Sequence, residues 1–424
     1  MEKRTSAITA GAGQYVVNKD HIVISEPTSA NVVDIQQSAI AVKQILHGRH
    51  IAIYGMGAFV KDEANPETNN LAPNATLVND GIIELHLSEL VKAYKDKVQT
   101  SNEDKEHKFR FIKCFAMAAG KNSLIINNGI IKIFFDYDIE ELSPIYGETI
   151  VAEENSTVIN NGEIQLIGNG SVTTQTRAIA VPANNVKIIN NGSISVKLER
   201  AATVRVLATT GANCFLGNFG KIDINSTGRI MTIGRLSDTP MVNTGEINIV
   251  SRAKFIENKV SFLFQSYPLA CAFYEHEVPN DLPVMPVINE GKIKIHLEGS
   301  EESTEHAVAF GIYSEMVGEE KQLHIFENTG SIEVTKSGPF DFVTAELGCN
   351  VQSKKDFPYD IEIRRWTTKK RDFKATKDLF VAGSGRFDLS KAEITTPDGE
   401  VLSKDGAVFQ NAEQAKRGDT VTTI

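Results

Sequence analysis

The chain has 424 residues, a formal net charge of -10 and 41% hydrophobic residues. That composition suits a globular chain with a large core, and the negative balance disfavours nucleic acid and anionic membrane surfaces as partners. No run of about 18 or more apolar residues occurs, so no helix is expected to span a membrane, and "MEKRTSAITAGAGQYVV" lacks the apolar region of a leader peptide.

Residues 1–48 are expected to form an N-terminal cap or an irregular first coil, with "NVVDIQQSAIAVKQILHG" (31–48) as a capping helix or part of that coil. "HIAIYGMGAFV" (50–60) imitates the start of a dinucleotide site. It is followed by Pro66 and an Asn- and Glu-rich run rather than a helix, and no third glycine has the required spacing. A solenoid strand with Gly55 and Gly57 in a turn is the preferred assignment.

Eight segments then share the form apolar-x-Asn-x-Gly-x-Ile-x-apolar, from "LVNDGIIEL" (77–85) and "IINNGIIKI" (125–133) to "FENTGSIEV" (326–334). Their asparagines are Asn79, Asn127, Asn160, Asn190, Asn218, Asn243, Asn289 and Asn328; their glycines are Gly81, Gly129, Gly162, Gly192, Gly220, Gly245, Gly291 and Gly330. The Ile and the apolar residue two further on share one strand face. Asn-x-Gly is a sharp turn, for which glycine supplies positive φ and asparagine tolerates the left-handed region. Stacked asparagines are expected to form an amide ladder.

Successive motif glycines lie 48, 33, 30, 28, 25, 46 and 39 residues apart. The shortest interval fits one coil of three short strands, and the longer ones fit the same coil with insertions. A propeller blade needs roughly 40 residues. The spacing therefore predicts an all-β, right-handed parallel β-helix (β-solenoid) over 49–336, with polar insertions near 88–113, 135–155, 251–283 and 297–322. Residues 337–424 are expected to hold degenerate late coils, such as "LFVAGSGRFDLS" (379–390) with Gly383 at the Asn position, and a C-terminal hairpin around Pro397-Asp398-Gly399. Cys114, Cys214, Cys271 and Cys349 have neither paired nor metal-ligand spacing and are expected as buried thiols.

The I-x-N-x-G-x-I repeat resembles bacterial right-handed β-helix surface proteins, namely autotransporter passenger domains and filamentous-haemagglutinin-type adhesins. Phage tailspike β-helices are a second resemblance. The first implies a non-enzymatic surface or structural protein, adhesin-like or fibre-like, that recognises a glycan or protein through inserted loops. The second implies a trimeric glycan depolymerase. An intracellular scaffold or delivered effector is the third class left open. The expected location is extracellular, cell-surface or virion, with the cytoplasm open because no leader is visible. Self-association as a trimer or end to end is a further expectation.

Two acidic clusters carry aromatics, the combination that glycoside chemistry uses. "FFDYDIEE" offers Asp136 and Asp138 as catalytic candidates and Tyr137 as a binding candidate. "FYEHEV" offers Glu275 and Glu277 as catalytic candidates, and Phe273, Tyr274 and His276 as binding candidates. Solvated loop residues are the plainer assignment for both clusters. The basic run "RRWTTKKRDFKATK" (364–377) is an anion-binding candidate or a solvated face, and Arg417-Gly418-Asp419 spells an integrin tripeptide. No metal-ligand set and no cofactor motif is recognised.

Overall fold

The computed structural model describes residues 3–26, 28, 30, 32–37, 48–63, 69–87, 112–135, 145–169, 175–201, 203–235, 239–253, 269–276, 285–301, 307–315, 322–349, 359–369, 380–382, 386–388, 392–402, 408–411 and 421–422. They form a right-handed parallel β-helix of three sheets. One coil runs from Ile112–Ala118 in sheet II through Leu124–Asn127 in sheet III to Ile130–Phe135 in sheet I. It returns to sheet II at Ile145–Val151. Neighbouring coils pair in parallel, with Ile131 in register with Ile83 on one side and Ile164 on the other.

Period-two alternation turns the repeat's isoleucines inward: Ile83, Ile131, Ile164, Ile194, Ile222, Ile247, Ile293 and Ile332 are all buried in one continuous core. At each sheet III to sheet I turn the asparagine also points inward. Asn18, Asn79, Asn127, Asn160, Asn190, Asn218, Asn243, Asn289 and Asn328 form an unbroken ladder. Each Nδ2 donates to the Oδ1 of the next coil at 2.7–2.8 Å. The last Nδ2 donates to the Thr367 carbonyl at 2.7 Å. Burial of these amides is tolerable because each has a partner in the next coil.

The expected reason for the motif glycine is corrected. None of the eight has positive φ. A Cβ on Gly192 would lie 2.0 Å from the Gly162 carbonyl oxygen, and the same contact repeats along the row, so close stacking excludes every side chain. The left-handed positions form a separate row at the sheet II to sheet III corner: Asn74, Asn122, Asn155, Asn185 and Asn213, with φ of 55–59°.

Sheet II bends within each strand, so that two consecutive residues such as Ala116 and Met117 face the core. Small residues suit the bend. At Gly55 a Cβ would lie 2.6 Å from Ile83 Cγ2, and at Gly311 one would lie 2.4 Å from Ile332 Cγ2. Gly55 and Gly57 thus sit within the strand Gly48–Lys61, not in a turn. The outer face of sheet II is also apolar and buried, around Phe115 and Tyr54 early in the chain and Leu269, Cys271 and Phe310 later.

At the N-terminus, Ile8–Ala10, Tyr15–Asn18 and His21–Ile24 make a first coil. Within 31–48 the structure describes the strand Val32–Gln37, antiparallel to Gly48–Lys61, where a capping helix was one alternative. Ile145–Val151, Leu269–His276 and Val308–Glu315 are coil strands inside stretches expected as insertions. Of the late segment, Phe380–Ala382 joins sheet II and Arg386–Asp388 joins sheet III. This shifts the phase expected with Gly383 at the Asn position. Glu393–Thr395 continues sheet III, and the Pro397-Asp398-Gly399 turn brings Val401 back to Thr395. All four cysteines are buried thiols outside any disulfide, with burial pushing the Cys114 thiol up to about 12. Among the described residues, no helix is long and apolar enough to cross a membrane.

Candidate functional site

Asp136, Tyr137 and Asp138 lie outside the described residues, as do Glu277 and the Arg417-Gly418-Asp419 tripeptide. His276 ends the strand Leu269–His276, with only its backbone described. Phe273 points into the core and is fully buried. Tyr274 is buried on the outer face of sheet II, where Arg229 lies 5.1 Å from its ring centre and donates to its hydroxyl at 3.0 Å. Neither ring presents a face to a ligand, which corrects their expected binding role.

Glu275 is corrected in the same way: it faces the interior and is 1% exposed. Arg235 in the preceding coil donates to Glu275 Oε1, to the Thr239 carbonyl and, at 3.1 Å, to the Met285 carbonyl. From the other side His324 Nδ1 lies 2.9 Å from Glu275 Oε2, and Ser314 donates to that oxygen at 3.3 Å. Burial pushes the Glu275 carboxyl up, but the charges of Arg235 and His324 and their hydrogen bonds overcome it and hold it at about 2. Cys349 continues the same row and is pushed well up by burial and by Glu275. A carboxylate sealed in this column has no path to a polymer. Its chemistry is that of a structural ion cluster.

The solvent-facing features lie elsewhere. On the first coils of sheet I, Glu84 receives Lys132 Nζ at 3.1 Å and lies 3.2 Å from His21 Nε2, while His86 stacks on Phe134 at 4.6 Å. Burial raises the Glu84 carboxyl, yet the hydrogen bonds from Lys132 and His21 leave it below its ordinary value.

A groove runs along the Asn-x-Gly turns. One open depression of about 680 Å³ is lined by Asn191, Phe219, Thr244 and Glu290, which are the central turn residues, and by Lys221 and Glu246 of sheet I. It shares Lys292, Gly330 and Ser331 with a second depression of about 590 Å³, bounded by Lys294, Thr367, Lys369 and the Thr395–Gly399 turn. Together they cross seven stacked layers, from the Asn190 coil to Thr395. At a strand spacing of about 4.8 Å the groove is roughly 29 Å long. Phe219 is 42% exposed within it and stacks on Phe215 at 6.4 Å, with Gly217 leaving room between the rings.

Apart from turn glycines, Thr367 and Lys369 within the basic run, and Pro397 and Gly399 of the expected hairpin, none of the groove residues was singled out from sequence. Of that run, Trp366 is buried, Arg364 and Arg365 pair with Glu327 and Glu362, and Lys369 lies 3.4 Å from Glu333. The one signal available for Phe219 was an aromatic in a turn slot that elsewhere holds polar residues. Among the described residues no group of His, Cys, Asp and Glu could hold a metal ion.

Residues 1–192 match one family model, described as the BigA third pectate lyase-like domain. That family is a bacterial surface protein domain of β-helix fold. No curated protein and no solved structure gives a significant match. The BigA-type similarity covers the first coils, through the Asn190 turn, and the groove begins where it ends. The repeat itself continues without a break into the unmatched half.

Proposed function

We propose that the protein is a bacterial surface β-solenoid that binds an extended glycan along the groove over its Asn-x-Gly turns, without cleaving it. The observation that carries this reading is the exposed, stacked Phe219 inside a long, open, hydroxyl-lined groove. An exposed aromatic offers an apolar face to a sugar ring, and nearby polar side chains fix its hydroxyls. A linear polymer also suits a site whose walls repeat once per coil. The similarity of residues 1–192 to a bacterial surface domain supports the location. Burial of Glu275 favours binding over hydrolysis, since it removes one of the acids that cleavage would use.

The test is a glycan array probed with the intact chain, followed by assay of bound polymers for new reducing ends. Binding without release is expected. Steady release of reducing ends would replace this reading with a depolymerase, and no binding across a broad array would overturn it. Light scattering on the same preparation reports self-association, for which a trimer would favour the tailspike-like alternative.

A further inference from the structure

We infer that the C-terminal depression of the groove is a site for an anionic group, a carboxylate or sulfate carried on the glycan. The inference rests on the groove being a ligand surface. Lys292 and Lys294 stand on one exposed face of the strand Lys292–Glu298, two residues apart, with both side chains turned into the depression. Lys369 lines the depression as well. Glu333 is the one carboxylate lining the depression, so the local balance is +2 in a chain of net charge -10.

The two strand lysines differ from Lys132 and Lys221 on the same sheet. Lys132 has Glu84 at 3.1 Å, and Lys221 has Asp223 at 2.8 Å. Neither Lys292 nor Lys294 has a carboxylate within 4.0 Å among the described residues, and the carboxylate of Glu333 is engaged by Lys369 at 3.4 Å. Adjacent ammonium groups on one strand face repel each other. An anion placed between them relieves that repulsion and receives their N–H donors. Hydroxyls of Thr329, Ser331 and Thr367 in the lining supply further donors to sulfate or carboxylate oxygens.

The experiment measures binding of the intact chain to dextran sulfate, alginate and uncharged dextran by affinity electrophoresis, at two salt concentrations. Three proteins are compared: the native chain, a Lys292→Ala/Lys294→Ala variant, and a Lys187→Ala/Lys197→Ala control that removes two exposed lysines outside the groove. Thermal melts confirm that the variants fold. The expected result is binding to an acidic polymer that salt weakens, and that falls about tenfold or more in the groove variant alone. Preference between dextran sulfate and alginate distinguishes sulfate from carboxylate. Equal losses in both variants would overturn the inference, because a general charge effect would explain them. So would unchanged binding in the groove variant, or binding to uncharged dextran alone; the latter would leave the groove reading intact. Absence of binding to all three polymers overturns the anion site, whereas the groove itself stands or falls on the wider array.

Discussion

Replacing Glu275 by Gln is expected to destabilise the solenoid by about 3 kcal/mol at neutral pH. The side chain is 1% exposed and sits between Arg235 and His324, so removing its charge leaves a buried guanidinium without its counter-ion. Two routes give the same order of magnitude. Breaking one partner of a buried pair costs about 3–5 kcal/mol. Holding the carboxyl at about 2, against an ordinary 4.5, corresponds to about 3 kcal/mol of stabilisation of the charged form. Because the folded value is depressed, this stability is fully present above about pH 4.5, shrinks as the pH falls through that value, and is gone below about pH 2. The difference between native and variant should therefore narrow over the same window. Urea titration followed by the fluorescence of Trp366, the single tryptophan, reads it directly. Trp366 is buried in the late coils, where its Nε1 donates to Glu346. A paired Arg235→Met/Glu275→Leu replacement should recover most of the loss, since it removes both charges together. A change below about 1 kcal/mol on Glu275→Gln, or a pH-independent difference, would refute the ion-cluster account.

Asn190→Ala removes one rung from the ladder, taking away the donor to Asn218 Oδ1 and leaving Asn160 Nδ2 with only its longer 3.4 Å contacts to the Gly162 and Ser193 carbonyls. A loss of more than about 2 kcal/mol in the same urea assay is expected, against well under 1 for the exposed Asn191→Ala. Gly192→Ala places a Cβ on the neighbouring carbonyl and should cost about 3 kcal/mol or more, or prevent soluble expression. Gly13→Ala, with φ of 70° and open space around it, should cost only roughly 1–2 kcal/mol in a thermal melt. All four thiols should resist a water-soluble disulfide reagent in the folded chain and react fully in denaturant, as their burial requires.

The coil was legible because its constraints are local. A side-chain period of two, an amide at a buried corner and a glycine under a carbonyl recur in every turn, so "IINNGIIKI" carries the structure of its whole coil. Asn18 escaped notice because Asp20 stands where the other coils have glycine. The Gly81 turn of the next coil stacks on Asp20, but on the other side the strand Lys3–Arg4 pairs with His21 and Ile22 and no described turn precedes Asp20, which leaves space for its side chain. The physical reason for the glycine was misassigned because the inter-coil contact joins residues about 30 positions apart, which no local turn rule encodes. The candidate site was far less legible. "FYEHEV" reads as a polar surface cluster, but the bend in sheet II turns Phe273 and Glu275 inward and leaves Tyr274 under an apolar outer layer. Conversely, Phe219 and the Lys292–Lys294 pair come from separate coils and share one groove only through stacking.

The most direct test of groove recognition is to fill the groove. Ser331 belongs to both depressions and Thr244 lines one wall, whereas Ser195 faces outward on the same sheet beyond the groove. Glycan binding by Ser331→Trp and Thr244→Trp should fall about tenfold or more while Ser195→Trp binds like the native chain. Folded Ser331→Trp and Thr244→Trp variants that retain native affinity would contradict it.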